Sequence, residues 1–344
     1  MSSHWHTPWN APRILISGSV AYDTILVFEG HFRDHILPDK VHMINVAFLA
    51  PRLERQYGGT AANIAYSVAG LGASPVVLAA VGRDGGDQID RMKRIGIDVS
   101  GIQRFEELWT AQAYITTDLD DNQITAFHPG AMARAHEVRV AGHLPAAIGI
   151  ISPNGKQAMI DHAASYRINE VPFVFDPGQA LPMFDGDELR GMMEGAMAVT
   201  VNDYECGLIT QKTGLQEHEL AGLVNALIVT RGGEGCTVWV DGEAHSIPAA
   251  AISHAVDPTG CGDAFRAGLL YSRAMGKDWI ASARLGSVLG AMKIEHSGAQ
   301  SHVVDRKVIA ERHEAAYGER PWPESEDLAN AESDDDHHHH HQWT

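Results

Sequence analysis

The chain has 344 residues, 44% hydrophobic and 20% charged, with 34 glycines and a formal net charge of −18. That length accommodates one large domain or a large and a small one, and the composition is that of a soluble α/β enzyme. The negative charge argues against a nucleic-acid surface, no apolar run reaches the ~18–20 residues of a bilayer span, and the polar start Met1 to Pro12 lacks a signal-peptide core.

In chain order, Ile14 to Gly18 reads as a buried first strand, followed by an irregular polar and aromatic stretch to Tyr57. Gly58 and Gly59 precede a helix predicted over Thr60 to Leu71 with Gly72 as its cap, and Val76 to Val81 is the next strand. A helix over Asp87 to Ile95 comes next, and Gln112 to Thr117 and Gln123 to Phe127 flank Asp120-Asp121-Asn122, a hairpin-turn composition. Later strands are predicted at Ile148–Ser152, Phe173–Asp176, Ala198–Val201 and Leu227–Thr230, with helices between them. Such alternation builds a parallel sheet covered on both faces. The segments around 22–57 and 105–128 break the alternation and are expected to form a small β-lid over the sheet's carboxyl ends, where open α/β sheets bind ligands.

The most informative stretch is Asp257-Pro-Thr-Gly-Cys-Gly-Asp-Ala-Phe265. The run Ala250 to Val256 before it is apolar enough for a strand, and Ala264 to Met275 after it has apolar residues at helical spacing. Gly260 and Gly262 then sit on a strand-to-helix turn, where free N–H groups and the helix dipole bind an oxyanion. Asp263 has two readings. An Asp in the first turn stabilises a helix by ~0.3–1 kcal/mol, or the carboxylate takes a proton from a hydroxyl that attacks a bound phosphate.

This stretch resembles the C-terminal signature of the ribokinase-like (pfkB) carbohydrate kinase family, and Gly58-Gly59-Thr-Ala-Ala-Asn63, continuing to Gly70-Leu-Gly72, is similar to its N-terminal signature. Asn202-Asp-Tyr-Glu205 and Thr230-Arg-Gly-Gly-Glu-Gly235 lie between them in the family's order. Together they span Ile14 to about Gly318, and the stretches Thr110 to Met132 and Phe175 to Gln179 resemble the adenosine kinases and bacterial nucleoside kinases within that family. The resemblance implies a ribokinase-like α/β fold over residues 13–318, a central mostly parallel sheet flanked by helices with a small β-sheet lid. It also implies an ATP-dependent kinase acting on the ribose 5′-hydroxyl of adenosine or other nucleosides.

Residue by residue, the resemblance implies that Asp263 is the base, with Gly260, Cys261 and Gly262 forming the anion hole. Cys261 reads as a small spacer, although a helix N-terminus can lower a thiol pKa. Asp23, Gly58, Gly59 and Asn63 would hold the sugar; turn-forming roles are the plainer readings of Asp23 and the two glycines. Gln112, Phe127, Phe28 and Phe48 are candidates for packing a base, and equally for a small lid core. Thr230, Arg231, Gly232 and Gly235 would approach ATP, with Arg231 able to meet phosphate, and a hairpin turn as the alternative. Asn202 and Glu205 would help hold Mg2+ through water, against a plain helix cap. Asp257 and Thr259 would contribute to a monovalent-cation site such as K+, or only shape the turn.

A free-sugar kinase for ribose or a ketohexose, and a non-catalytic nucleoside-binding protein, are the alternatives. A P-loop, a G-x-G-x-x-G after the first strand and a catalytic zinc pattern are all missing from the sequence. Cys206, Cys236 and Cys261, odd in number and without C-x-x-C, fit a reduced, cytoplasmic protein acting as monomer or homodimer on small molecules, with no nucleic-acid or membrane partner. From Glu319 on, eight acids stand against Arg320 alone, so this segment contributes −7 of the net charge. The termini 1–12 and 319–344 are expected to be flexible, and His337 to His341 to bind metal only adventitiously.

Overall fold

The computed structural model describes residues 11–328, so the expectations for Met1 to Asn10 and for the tail from Ala329, with its histidine run, lie outside the described residues. The chain begins with β1 (Arg13–Ser17), β2 (Ala21–Val27), β3 (Arg52–Gly58), α1 (Thr60–Leu71), β4 (Ser74–Gly82), α2 (Gly86–Arg94) and β5 (Ile102–Phe105). It continues with β6 (Ala111–Thr117), β7 (Gln123–His128), β8 (Ile148–Ile151), α3 (Lys156–Ile168), β9 (Phe173–Phe175), α4 (Gly186–Gly195) and β10 (Ala198–Asn202). The last part comprises α5 (Asp203–Thr213), α6 (Glu217–Ala221), β11 (Ala226–Thr230), β12 (Cys236–Val240), β13 (Glu243–Ile247), α7 (Cys261–Ala274), α8 (Trp279–Ile294) and α9 (Arg306–Tyr317).

Nine strands form one sheet in the order β13-β12-β11-β10-β9-β8-β1-β4-β5, parallel except for the two pairings that join β12 and β13. Alternate side chains of each strand enter opposite cores. Ile14 and Ile16 pack with α1, α7 and α8 on one face, while Leu15 packs with α3 and α4 on the other. Burial on both faces is why these strands read as unbroken apolar runs. Strand order reverses between β1 and β8, so the loops leaving their carboxyl ends diverge and open a crevice.

The second sheet, in the order β3-β2-β6-β7, is the expected lid; β3 ends at Gly58 just before α1, and β6 follows directly on β5 of the large sheet. Asp118 closes the hairpin between β6 and β7 by accepting from the N–H groups of Asp120 and Asn122. Under the lid, Phe28, Phe32 and Phe48 cluster with ring centroids 4.7–5.8 Å apart. Phe28 and Phe48 therefore serve as a small lid core.

Two expectations need correction. Residues 250–256 form no strand: after the buried Ala250 the segment runs exposed over 251–256, its N–H groups reaching Glu295 from Ser253 and the Ile294 carbonyl from Val256. Residues 319–328 are not a loose tail. Trp322 is buried against Tyr271, lies 3.9 Å from the Arg306 guanidinium, and donates its indole N–H to Asp327, which pairs with Arg320 at 2.5 Å. One aromatic residue and one ion pair anchor an otherwise polar segment. Among the described residues no helix is long and apolar enough to cross a membrane.

Candidate active site

A cavity of about 1000 Å3 lies at the carboxyl ends of β8 to β11 and reaches the start of α7. Its floor is the turn Gly260-Cys261-Gly262-Asp263. Gly260 has φ +81, and a Cβ there would come 2.6 Å from that of Ala299, so conformation and space both require glycine. The Cys261 N–H is spent on the Pro258 carbonyl, which leaves the N–H groups of Gly262 and Asp263 without an acceptor among the described residues. These two, at the positive end of α7, are available to donate to an anion. Burial raises the Cys261 thiol pKa, against the lowering a helix N-terminus can produce.

Asp263 accepts from the Asn63 side-chain amide at 3.0 Å, and Gln300 in turn donates its amide N–H to the Asn63 side-chain oxygen Oδ1 at 2.9 Å. Arg91 holds Gln300 through both its side chain and its backbone oxygen. The chain of contacts fixes the amide so that Asn63 can only donate to Asp263. Burial, above all, pushes the Asp263 pKa up to about 7; Asn63 and Arg266 oppose the rise, and Asp176 and Glu205 add to it. A carboxylate poised there is well matched to general-base work near neutral pH. Behind it, Arg266 pairs with Asp176 at 2.7 Å and donates to the Gly262 carbonyl at 2.8 Å. Both partners are buried.

Asp23 and Gly58 meet on adjacent lid strands, where a Cβ on Gly58 would stand 2.7 Å from the Asp23 carboxylate. Gly59, at φ +94, leaves no room for a side chain, because a Cβ would strike the Ser19 carbonyl at 2.5 Å. The Asp23 carboxylate has no protein hydrogen bond among the described residues, and burial raises its pKa. A partly buried acceptor without a partner is free for ligand hydroxyls. Gln112 is already tied to Asp84 at 2.8 Å and to the Thr110 carbonyl at 3.0 Å, so its amide N–H groups link the start of β6 to the turn after β4. Phe127 stands exposed on the edge strand β7.

On the other side of the cavity, Asn202, Glu205, Thr230, Gly232 and Gly235 all line the wall. Asn202 and Glu205 cap each other's backbone N–H groups at 2.7–2.8 Å, the helix cap weighed for them, and both still face the cavity. One Glu205 oxygen is thus committed to the backbone, which fits Mg2+ held through water better than a direct ligand set. Thr230 to Gly235 also makes the turn between antiparallel β11 and β12. Arg231 departs from expectation: it pairs with Asp203, approaches Glu217 at 3.4 Å and Thr237 at 3.2 Å, and does not line the cavity. Three polar partners outside the cavity outcompete an exposed turn position.

The expected monovalent-cation ligands are also engaged. The Asp257 carboxylate accepts from the N–H groups of Thr259 at 2.9 Å and Gly298 at 2.7 Å, and its carbonyl accepts from the Lys293 ammonium at 2.8 Å. Burial opposes ionisation of Asp257, but those N–H donors hold its pKa below the usual range. Thr259 contributes its backbone N–H to the turn. These residues do not fit K+. The sequence pattern assigns no role to Asp176, Arg266, Gln300 or Lys293. Only the placement of Asp176 directly after a strand, and of Arg266 one helical turn from Asp263, signals two of them.

The signature of the pfkB family carbohydrate kinases matches residues 19–306. The nucleoside kinase of Methanocaldococcus jannaschii is 29% identical over 270 residues, covering 78% of this chain and 89% of that protein. The Burkholderia thailandensis nucleoside kinase in complex with inosine is similar in structure, with TM-score 0.81 and 45% identity over 90% of this chain and 100% of that one. Its complex with ADP-inosine gives TM-score 0.78 at 47% identity, over 90% and 97% of the two chains.

Proposed function

We propose, from the premise that this chain belongs to the pfkB carbohydrate kinase family and so transfers phosphoryl groups to a hydroxyl, that its acceptor is a nucleoside. ATP is the donor and the ribose 5′-hydroxyl is the site of transfer. The reading is carried by one observation: the Asp23 carboxylate, without a hydrogen bond among the described residues, lies against Gly58 at the entry to α1, the helix that carries Asn63, whose amide is hydrogen-bonded to the raised-pKa Asp263. Similarity to nucleoside kinases supports nucleosides over free sugars, and the inosine complex of the B. thailandensis enzyme makes inosine the first purine nucleoside to test beside adenosine.

In this reading Asp23 accepts hydrogen bonds from two neighbouring ribose hydroxyls while Gly58 and Gly59 admit the sugar close to the backbone. The four-stranded lid closes over it, excluding water and aligning the reactants. Asp263 takes the proton of the 5′-hydroxyl as its oxygen bonds to the γ-phosphorus; the bond to the bridging oxygen breaks, and ADP leaves. The free N–H groups of Gly262 and Asp263 receive the charge that develops on the transferred group. Thr230, Gly232 and Gly235 flank the nucleotide. Mg2+ carried by Asn202 and Glu205 through water would neutralise phosphate charge.

The test is Mg·ATP consumption against adenosine, inosine, guanosine, cytidine, ribose and fructose. Turnover on one or more nucleosides is the expected result. Turnover on ribose or fructose alone would move the protein to the free-sugar reading, and tight nucleoside binding without turnover would make it a binding protein.

A further inference from the structure

Lys293 is a fully buried ammonium with no carboxylate bound to it among the described residues. In the last turn of α8, it donates to two backbone carbonyls, of Asp257 at 2.8 Å and of His296 at 2.9 Å. A charge sealed from water is costly unless oxygens replace its hydration, and carbonyls at the negative end of a helix do so. The site is also structural for the anion-binding turn. Val256 and Asp257 donate their N–H groups to the Ile294 carbonyl, the Asp257 carboxylate accepts from Gly298, and Ala299 packs against Gly260. The ammonium therefore clamps the segment entering the turn to the segment leaving α8.

We propose that the Lys293 ammonium is a built-in replacement for a monovalent cation: it braces and charges the transfer site from within the chain, so that turnover does not depend on K+. A bare K+ ion is held by rings of carbonyl oxygens in place of its hydration shell. Here the oxygens that would face such an ion are the ones the ammonium engages. The proposal rests on the assignment of Gly260 to Asp263 as the transfer site, not on the identity of the acceptor.

The experiment compares full-length protein in N-methyl-D-glucamine chloride and in KCl at equal ionic strength, about 100 mM, so that screening is the same. Turnover with Mg·ATP and the best acceptor, and ligand-free melting temperature, are both recorded. The wild-type chain should differ by less than about twofold in turnover between the salts, the spread expected when no oriented charge is gained or lost at the site. It should melt at the same temperature in both.

Lys293→Ala, which opens the space between the two carbonyls, should lose about tenfold or more in turnover without K+, since the cation that braces the segment entering the anion-binding turn is removed and the donors there lose their fixed positions. KCl should restore much of that loss and raise the melting temperature, because an ion bound only by the folded state stabilises it. Lys293→Met, which keeps the volume of the stem, gives the same reading if the alanine variant fails to fold.

Strong K+ activation or K+-specific stabilisation of the wild-type chain would overturn the proposal, as would variants indifferent to K+ by both measures. The melting arm needs no acceptor, so failure of the nucleoside reading and failure of this one remain separate results.

Discussion

Asp263→Asn separates two consequences of holding a carboxylate under an anion-binding turn. The shape is kept, and the new amide oxygen can still accept from Asn63, which now donates at 3.0 Å. What is lost is proton acceptance, so kcat should fall ~10²–10⁴-fold with acceptor affinity largely kept. The second consequence is stability. The folded-state pKa of about 7 lies above the ordinary carboxylate value of an unfolded chain. The favourable contribution is therefore fully present below pH ~4 and is lost as pH rises through about 7.

By pH 8 the ionised carboxylate costs the fold up to ~4 kcal/mol, at ~1.4 kcal/mol per pH unit. Solvent reaching Asp263 through the cavity reduces this to an expected ~2 kcal/mol. Asparagine removes the cost. At ~1–2 °C per kcal/mol for a chain of this length, the variant should melt ~3 °C higher than wild type at pH 8 and gain clearly less at pH 5. The assay is ligand-free thermal melting at both pH values, beside steady-state kinetics. An equal gain at both pH values would refute the perturbed carboxylate, and near-wild-type turnover would refute its role as base.

Asp23→Ala should raise the nucleoside Kd by about 100-fold, the loss of two hydrogen bonds to a charged acceptor; unchanged affinity in calorimetry would remove Asp23 from the sugar site. Arg266→Met leaves Asp176 buried without its partner at 2.7 Å, so urea unfolding should show ~3–5 kcal/mol of destabilisation. Combining it with Asp176→Leu should recover part of that loss, and a single variant as stable as wild type would contradict the pair's burial. Trp322→Ala should cost ~3–5 kcal/mol by the same measurement, whereas a flexible tail would make it silent.

The turn at the start of α7 and the layered sheet were legible because both are written locally. Alternating apolar strands and helices, Gly72 as the helix cap and the glycines around Asp263 each depend on neighbours within a few residues. The lid was legible for the opposite reason, as two segments that broke the helical alternation. Legibility ended where a side chain's partner lies far along the chain. Arg231 offered the same charge to a phosphate or to Asp203 and Glu217, and only the packed loops decided between them. Gln112, expected to contact a base, is held by Asp84. Residues 250–256 were apolar enough for a strand, yet the N–H groups of Ser253 and Val256 go to Glu295 and the Ile294 carbonyl at the end of α8 instead of to a neighbouring strand.

The sequence by itself determined the sheet and its helices, the lid, and the anion turn with its carboxylate, because periodicity, capping and glycine geometry act over a few residues. Tertiary structure alone decided that Asn63, 200 residues away, meets Asp263, that Trp322 folds the acidic segment back onto α9, and that the ammonium of Lys293 reaches the Asp257 carbonyl. Each is a contact between distant segments whose cost of ordering is repaid only when the intervening elements have packed.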